Sequence, residues 1–351
     1  MARSLRHLWS QLRRFRTSSN GWRALVLCGG YLAAVPYGLG GVSAPQDAPT
    51  TTDSEALLFA TPTTHDHVGR VVVPVRINGQ GPFRFIVDTG ADHSTISPAL
   101  VQLLGLKPES QPMLLQGITG SAQVSFVTVD RLQAGELTLA PTELPVVWAD
   151  VMAGADGILG AAGLNQKALI IDFQRNRVAI ARHVALALRT DAIKIHTLPA
   201  THGLITLEMH VGTVRVLAVL DTGSQRTLGN IALRNALSVS KSQGFRVQIT
   251  SVYGATEAVE TGEIGPAPPI SIDTVHINDV AIIYGPFHIF KVWQLEDQPA
   301  MIIGMDIIGS VASLGIDFKT QEVYLTSLQD SNALRTTPGN LGGWVERRRV
   351  N

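Results

Sequence analysis

Phe85-Ile86-Val87-Asp88-Thr89-Gly90-Ala91-Asp92 and Ala218-Val219-Leu220-Asp221-Thr222-Gly223-Ser224 are two versions of one pattern. In each, an apolar run leads into Asp-Thr-Gly. Each is followed by an apolar-apolar-Gly step, Ile158-Leu159-Gly160 after the first and Ile302-Ile303-Gly304 after the second. The separations are similar, 160 − 88 = 72 and 304 − 221 = 83 residues. One Asp-Thr-Gly alone reads as a strand-end turn. Turn chemistry does not account for two matched pairs in the same order. They predict two lobes that each donate one carboxylate to a shared site.

The flanking sequence repeats as well. Val71-Val72-Val73-Pro74-Val75-Arg76-Ile77, then Asn78-Gly79, then Phe83 to Asp88 reads as strand, tight turn, strand. Leu204 to Val211, then Gly212-Thr213, then Val214 to Asp221 reads the same way. Asn-Gly is a strong hairpin turn because both residues tolerate positive φ. Further on, Ile171-Asp172-Phe173 matches Ile316-Asp317-Phe318, each followed by a polar turn and a returning apolar strand. The lobes therefore run over residues 66–190 and 191–330.

Composition agrees with this division. With 351 residues, 45% hydrophobic and 16% charged, the chain can bury two cores. Abundant Gly and Pro, with segments rich in Val, Ile and Thr, favour strands and turns. The formal net charge is +0, from 28 basic and 28 acidic residues, so no nucleic-acid partner is expected. Cys28 is the only cysteine, which excludes an intramolecular disulfide and a cysteine metal framework.

Residues 1–44 have another character. A basic lead-in up to Arg23 precedes the apolar run Ala24 to Val35, and small residues follow to Ala44. That order is that of an export signal or N-terminal membrane anchor. It implies a periplasmic, inner-membrane-anchored or secreted protein. Residues 45–65 read as a linker, and residues 331–351 as a tail without assignment. Three ligands in consecutive positions make a poor metal site, so none is expected at His65-Asp66-His67.

On the two Asp-Thr-Gly motifs and their downstream Gly steps, the chain resembles the pepsin/retropepsin class of aspartic peptidases. It is most similar to bacterial single-chain, retropepsin-like proteins. The first motif resembles the retroviral form and the second the pepsin form. The resemblance covers roughly residues 68–328. It implies an all-β, two-lobed acid-protease fold, each lobe a retropepsin-like β-barrel, duplicated in one chain. It also implies a monomer that needs no cofactor and acts on a peptide or protein substrate.

By the same resemblance, Asp88 and Asp221 form the catalytic dyad. Thr89 and Thr222 reach across with their hydroxyls, and Gly90 and Gly223 allow the loops to approach. Ala91 and Ser224 complete the loops. Ser224 is expected to bond its own carboxylate, which Ala91 cannot do, so Asp221 is expected to hold the charge more often. Asp92 and the hairpin tips Gly117-Ile118-Thr119-Gly120 and Tyr253-Gly254 are expected to meet substrate as flaps; one flap and two flaps are both open. Ala161 and Met305 stand where retroviral enzymes carry an Arg, so Asp92 needs another partner, for which Arg226 is a candidate. The resemblance points to an aspartic endopeptidase. The rival readings are a catalytically silent binding module and a processing protease for one envelope or secreted partner.

Overall fold

The computed structural model describes residues 24–27, 57–66, 69–135, 137–148, 152–182, 192–201, 204–237, 248–326 and 334–335. Strands dominate, and the two halves follow one plan. In lobe one, Val71–Ile77 pairs antiparallel with Gln80–Asp88, joined at Asn78-Gly79, both at positive φ. The second of these strands runs parallel to Gly157–Gly160, with Asp88 beside Gly160. In lobe two, Leu204–Val211 pairs with Val214–Leu220, which runs parallel to Ala300–Ile303. Both catalytic strands are buried at the end that enters the motif, as a run of apolar residues at the centre of a sheet requires.

The halves superpose in sequence at an offset of 221 − 88 = 133. The offset holds for helix caps too. Ser97 Oγ accepts from the Leu100 N–H at the start of Pro98–Leu103. Asn230, 133 positions on, accepts in the same way from Leu233 at the start of Ile231–Ala236. Short-side-chain acceptors at this position satisfy an amide that the helix leaves free.

The lobes are joined by a six-stranded sheet. Ala168–Asp172 of lobe one pairs antiparallel with Ser313–Asp317 of lobe two, Ile170 opposite Gly315. These are the Ile-Asp-Phe strands of the repeat. Arg177–Ala181 and Glu322–Thr326 flank them.

One expectation needs correction. The linker over 45–65 is shorter than composition suggested. Leu57–Pro62 is a strand paired with Arg177–Ala181 at the edge of the shared sheet, and Thr64–His65 pairs with Val71–Ile77. In the sequence, the surrounding Thr, Pro and Asp obscure the apolar run Leu57-Leu58-Phe59-Ala60. Within the expected export segment, Ala24–Leu27 forms a strand parallel to Met113–Gly117. The rest of residues 1–44 lies outside the described residues, as does the tail apart from Leu334–Arg335. Among the described residues no helix is long and apolar enough to cross a membrane.

Candidate active site

Each Asp-Thr-Gly stands where a buried strand ends against its partner lobe. Asp88, Thr89, Asp221 and Thr222 are all fully buried. Asp88 Oδ1 accepts from the backbone N–H groups of Gly90 and Ala91, each at 2.9 Å. Asp221 Oδ1 accepts from Gly223 at 2.8 Å and Ser224 at 3.0 Å. The loop amides thus fix one oxygen of each carboxylate. The other oxygen, Oδ2 of both, meets no N–H or hydroxyl donor of the protein and is left to the facing carboxyl.

The loops interlock. The Thr89 hydroxyl donates to the Leu220 carbonyl at 2.8 Å and accepts from the Thr222 N–H at 3.1 Å. The Thr222 hydroxyl donates to the Val87 carbonyl at 2.8 Å and accepts from the Thr89 N–H at 3.1 Å. Four buried backbone groups are satisfied by two hydroxyls, each given from the opposite lobe.

The glycines set the distance between lobes. A Cβ at Gly90 would lie 2.4 Å from Asp221 Cγ, and one at Gly223 would lie 2.2 Å from Asp88 Cγ. Each carboxylate rests on the other loop's glycine, and a methyl group at either position forces the pair apart. Gly160 and Gly304 act in the same way behind the loops. Their missing Cβ atoms would meet the His93 and Arg226 backbones at 2.4 and 2.5 Å. The Gly160 N–H is bonded to Ser94 Oγ and that of Gly304 to Thr227 Oγ1, both at 3.2 Å.

Burial is the main influence on both carboxyls. It raises Asp88, against the shared bond with Asp221, the loop amides and the nearby Arg70. It raises Asp221 much further, with the neighbouring Asp88 pushing in the same direction. Two carboxylates this close and this dry share a proton rather than both ionise. They titrate as a pair.

This reverses one expectation. Ser224 Oγ donates to the Arg226 carbonyl at 2.8 Å and not to Asp221, so the serine hydroxyl, unlike its backbone N–H, gives the carboxylate no help. With that bond missing, the Ser224 hydroxyl gives Asp221 no advantage over Asp88 in holding charge. Asp92 pairs with its neighbour His93 at 3.1 Å. His93 itself is exposed.

Two hairpins, one from each lobe, approach each other. Met113–Gly117 and Ser121–Val124 form the first, Gln248–Tyr253 and Val259–Pro266 the second. Their tips meet, with Thr119 Oγ1 and Thr256 Oγ1 at 3.3 Å and Gly254 packed on Thr119. The tips also exchange lobes. Ile118 is buried among Val252, Ile283, Phe287 and Ile289 of lobe two, while Ala255 joins Val72, Met113, Leu115 and Ile158 of lobe one. Gly117 bonds back to Gly120 at 2.8 Å to close the first turn. Tyr253 is half-exposed at the end of its strand.

Several residues of this region escape a motif search. Arg70 and Asp66 form a buried ion pair beside the loops. Asp306 is partly buried behind the second loop, accepting from the Thr227 hydroxyl at 2.7 Å and its N–H at 3.1 Å. Burial raises its pKa. Gln225 Oε1 is buried without a protein partner. Aligning the halves at the 133-residue offset singles out Arg70 opposite Gly203, and Gln225 opposite Asp92.

Two buried carboxylates, one from each half of a duplicated β-fold, are brought together by crossed threonines and facing glycines. The family model described as aspartyl protease matches twice, over residues 73–162 and 206–307, once in each lobe, and the chain belongs to that family. No curated protein matches the chain.

Proposed function

We propose that the protein is an endopeptidase in which Asp88 and Asp221 together activate water against a peptide bond. The observation that carries this reading is the pair of buried carboxylates, each seated on the opposing loop's glycine with one oxygen turned away from every protein donor. With one proton on the pair, the ionised carboxylate takes a proton from water as its oxygen adds to the carbonyl carbon. The protonated one gives its proton to the carbonyl oxygen. In the second half, the newly protonated carboxyl delivers its proton to the amide nitrogen. A hydroxyl of the diol returns one to the other carboxylate, and the C–N bond breaks. The dyad ends with the single proton it began with.

Substrate would lie extended beneath the hairpin tips, which have to part to admit it, with apolar residues flanking the cleaved bond as in the family. A statine-type mimic of the tetrahedral intermediate should bind tightly, because catalysis requires complementarity to that state. The order of basic, apolar and small residues in positions 1–44 supports action outside the cytoplasm. Cell fractionation with N-terminal sequencing of the recovered protein tests that.

The test of the chemistry is a mixed peptide library incubated with the full chain and with Asp88→Asn and Asp221→Asn variants. The range should run from about pH 3 to about pH 8, on both sides of ordinary carboxylate titration. Loss of cleavage in both variants, by about 100-fold or more as expected for removing a general acid or base, supports the shared dyad. Cleavage that survives either substitution removes it. No cleavage by a folded protein at any pH favours a binding module or a single dedicated partner.

A further inference from the structure

The catalytic loops match position for position, but the residues that lead into each lobe's first strand do not. Lobe one has Arg70, and the position 133 residues later is Gly203. Arg70 is 1% exposed and heads the largest side chains that the fold buries completely. Its Nε donates to Asp66 Oδ2 at 2.6 Å and its backbone N–H to Asp66 Oδ1 at 2.8 Å. The Asp66 N–H in turn bonds the Arg70 carbonyl at 3.0 Å, closing a tight loop around the ion pair. Nη1 points the other way, across the lobe boundary, to the Gly223 carbonyl at 3.5 Å. Gly223 is the residue on which the Asp88 carboxylate rests.

A buried ion pair is a weak device for stability alone, since apolar residues of similar volume often serve as well. Its placement here suggests another use. The guanidinium keeps its charge at every pH of interest. Asp66 holds its Nε edge, and Nη1 is turned to the Gly223 carbonyl, in the loop on which Asp88 rests. We infer that Arg70 is the positioning residue that makes the dyad unsymmetrical, keeping Asp88 as the ionised carboxylate that takes the proton of water and leaving Asp221 as the protonated one that polarises the peptide carbonyl. The inference rests on the two-carboxylate reading above.

The other charged groups near the loops do not supply this asymmetry. Asp92 and His93 pair with each other on the first loop. Asp306 lies behind the second loop with its oxygens on Thr227 and the Ile307 N–H, and Arg226 acts on it there. The attraction of Arg70 is felt at Asp88, where it opposes the rise caused by burial. For Asp221, burial and the charge of Asp88 act together and raise it further.

The test isolates each carboxyl. Asp221→Asn leaves Asp88 alone, and Asp88→Asn leaves Asp221 alone. NMR of isotope-labelled aspartate carboxyl carbons then reads the two titration midpoints without any assay of catalysis. Asp88 is expected to titrate at the lower pH. Replacing the ion pair as a unit, Asp66→Asn with Arg70→Met, should shift the Asp88 midpoint upward and narrow the gap. Arg70→Lys with Asp66 kept should preserve most of it. Equal midpoints, the opposite order, or a gap that ignores the paired replacement overturns the role of Arg70. Should the paired replacement fail to fold, the order in the two single variants and the lysine result decide. Peptide cleavage by the same Asn variants is measured in parallel. Cleavage that persists overturns the two-carboxylate reading, whereas cleavage lost with matched midpoints overturns only the assignment of Arg70.

Discussion

Lobe one and lobe two carry the same loop chemistry on unequal supports. The crossed threonines, the paired loop amides and the facing glycines agree between lobes to within about a tenth or two of an ångström. Around them the lobes differ. Lobe one sets a buried Arg70–Asp66 pair against the dyad. Lobe two sets a partly buried Asp306 behind its loop, where the corresponding position in lobe one, two residues after Gly160, is Ala162. The hairpins differ as well. The second flap is continuous with the lobe-two sheet through Ala281–Tyr284, while the first lies outside the main lobe-one sheet and pairs along its edge with Ala24–Leu27. The lesson is that a twofold arrangement is kept where the geometry of two facing carboxylates demands it. It is relaxed in the charged groups that lie around them.

The most severe way to probe the shared part is to add one methyl group. Gly90→Ala and Gly223→Ala each drive a Cβ into the opposing carboxylate, at 2.4 and 2.2 Å. Activity should fall by several orders of magnitude in both, because displacing a catalytic group by about 1 Å can by itself cost about 100-fold. Stability should fall by about 1–3 kcal/mol, the cost of overpacking. Peptidase assays with urea unfolding read both effects. A variant that folds and cleaves at the normal rate would show that the carboxylates do not meet over these glycines in solution.

The flaps offer the next contrast. Ile118 fills a pocket in lobe two, whereas its counterpart across the tip, Ala255, has only a methyl group to bury. Two-stranded ribbons are marginal without such packing. Ile118→Ala should cost about 2–5 kcal/mol of the local packing energy, concentrated in the first flap. Hydrogen exchange of residues 113–124 should accelerate while the second flap stays protected. Equal acceleration in both hairpins would show that the tips open as one unit and that the lobe-two sheet does not hold its own flap.

The dyad also separates the lobes through pH. Both carboxyls are held above the 3.8 of an ordinary aspartate, Asp221 by more. A raised carboxyl binds its proton more tightly in the folded state. Its stabilisation is complete below the unfolded value and is lost as pH rises through the folded one. Wild type should therefore lose stability as pH rises above about 4. Asp221→Asn should lose less, and at neutral pH should unfold at higher urea than wild type. A difference between the two proteins that is constant with pH would trace to packing instead.

The sequence made the central chemistry legible because it is local. Asp-Thr-Gly dictates its own turn, its own carboxylate–amide bonds and, through threonine and glycine, the mode of contact with a second copy. The Gly160 and Gly304 steps were visible for the same reason, and so was the Asn78-Gly79 hairpin. What stayed hidden depends on contacts made at a distance. Asp66 was seen only as the middle of His65-Asp66-His67, since its partner Arg70 matters through a carbonyl 153 positions away in sequence. Leu57–Pro62 was hidden inside a linker-like composition because a strand at a sheet edge is specified by the strand it pairs with. The two flaps were legible as hairpins, but not the exchange of Ile118 and Ala255, which only the packed lobes define.

The smallest effect tests the detail on which sequence reasoning went astray. Ser224 and Ala91 occupy matching positions, and a serine beside an aspartate suggests a bond that would favour the charge. In the folded chain Ser224 Oγ instead serves the Arg226 carbonyl, and the Asp221 carboxylate receives the same two backbone amides as Asp88. Ser224→Ala should therefore cost only about 1 kcal/mol, the net worth of one such bond. It should leave the acid limb of the pH–rate profile in place. An acid limb that moves to higher pH would mean that the hydroxyl reaches the carboxylate during turnover. The asymmetry of the dyad would then be shared between Arg70 in one lobe and Ser224 in the other, the two acting in opposite directions. An unmoved limb leaves Arg70 as the feature that distinguishes the two carboxylates.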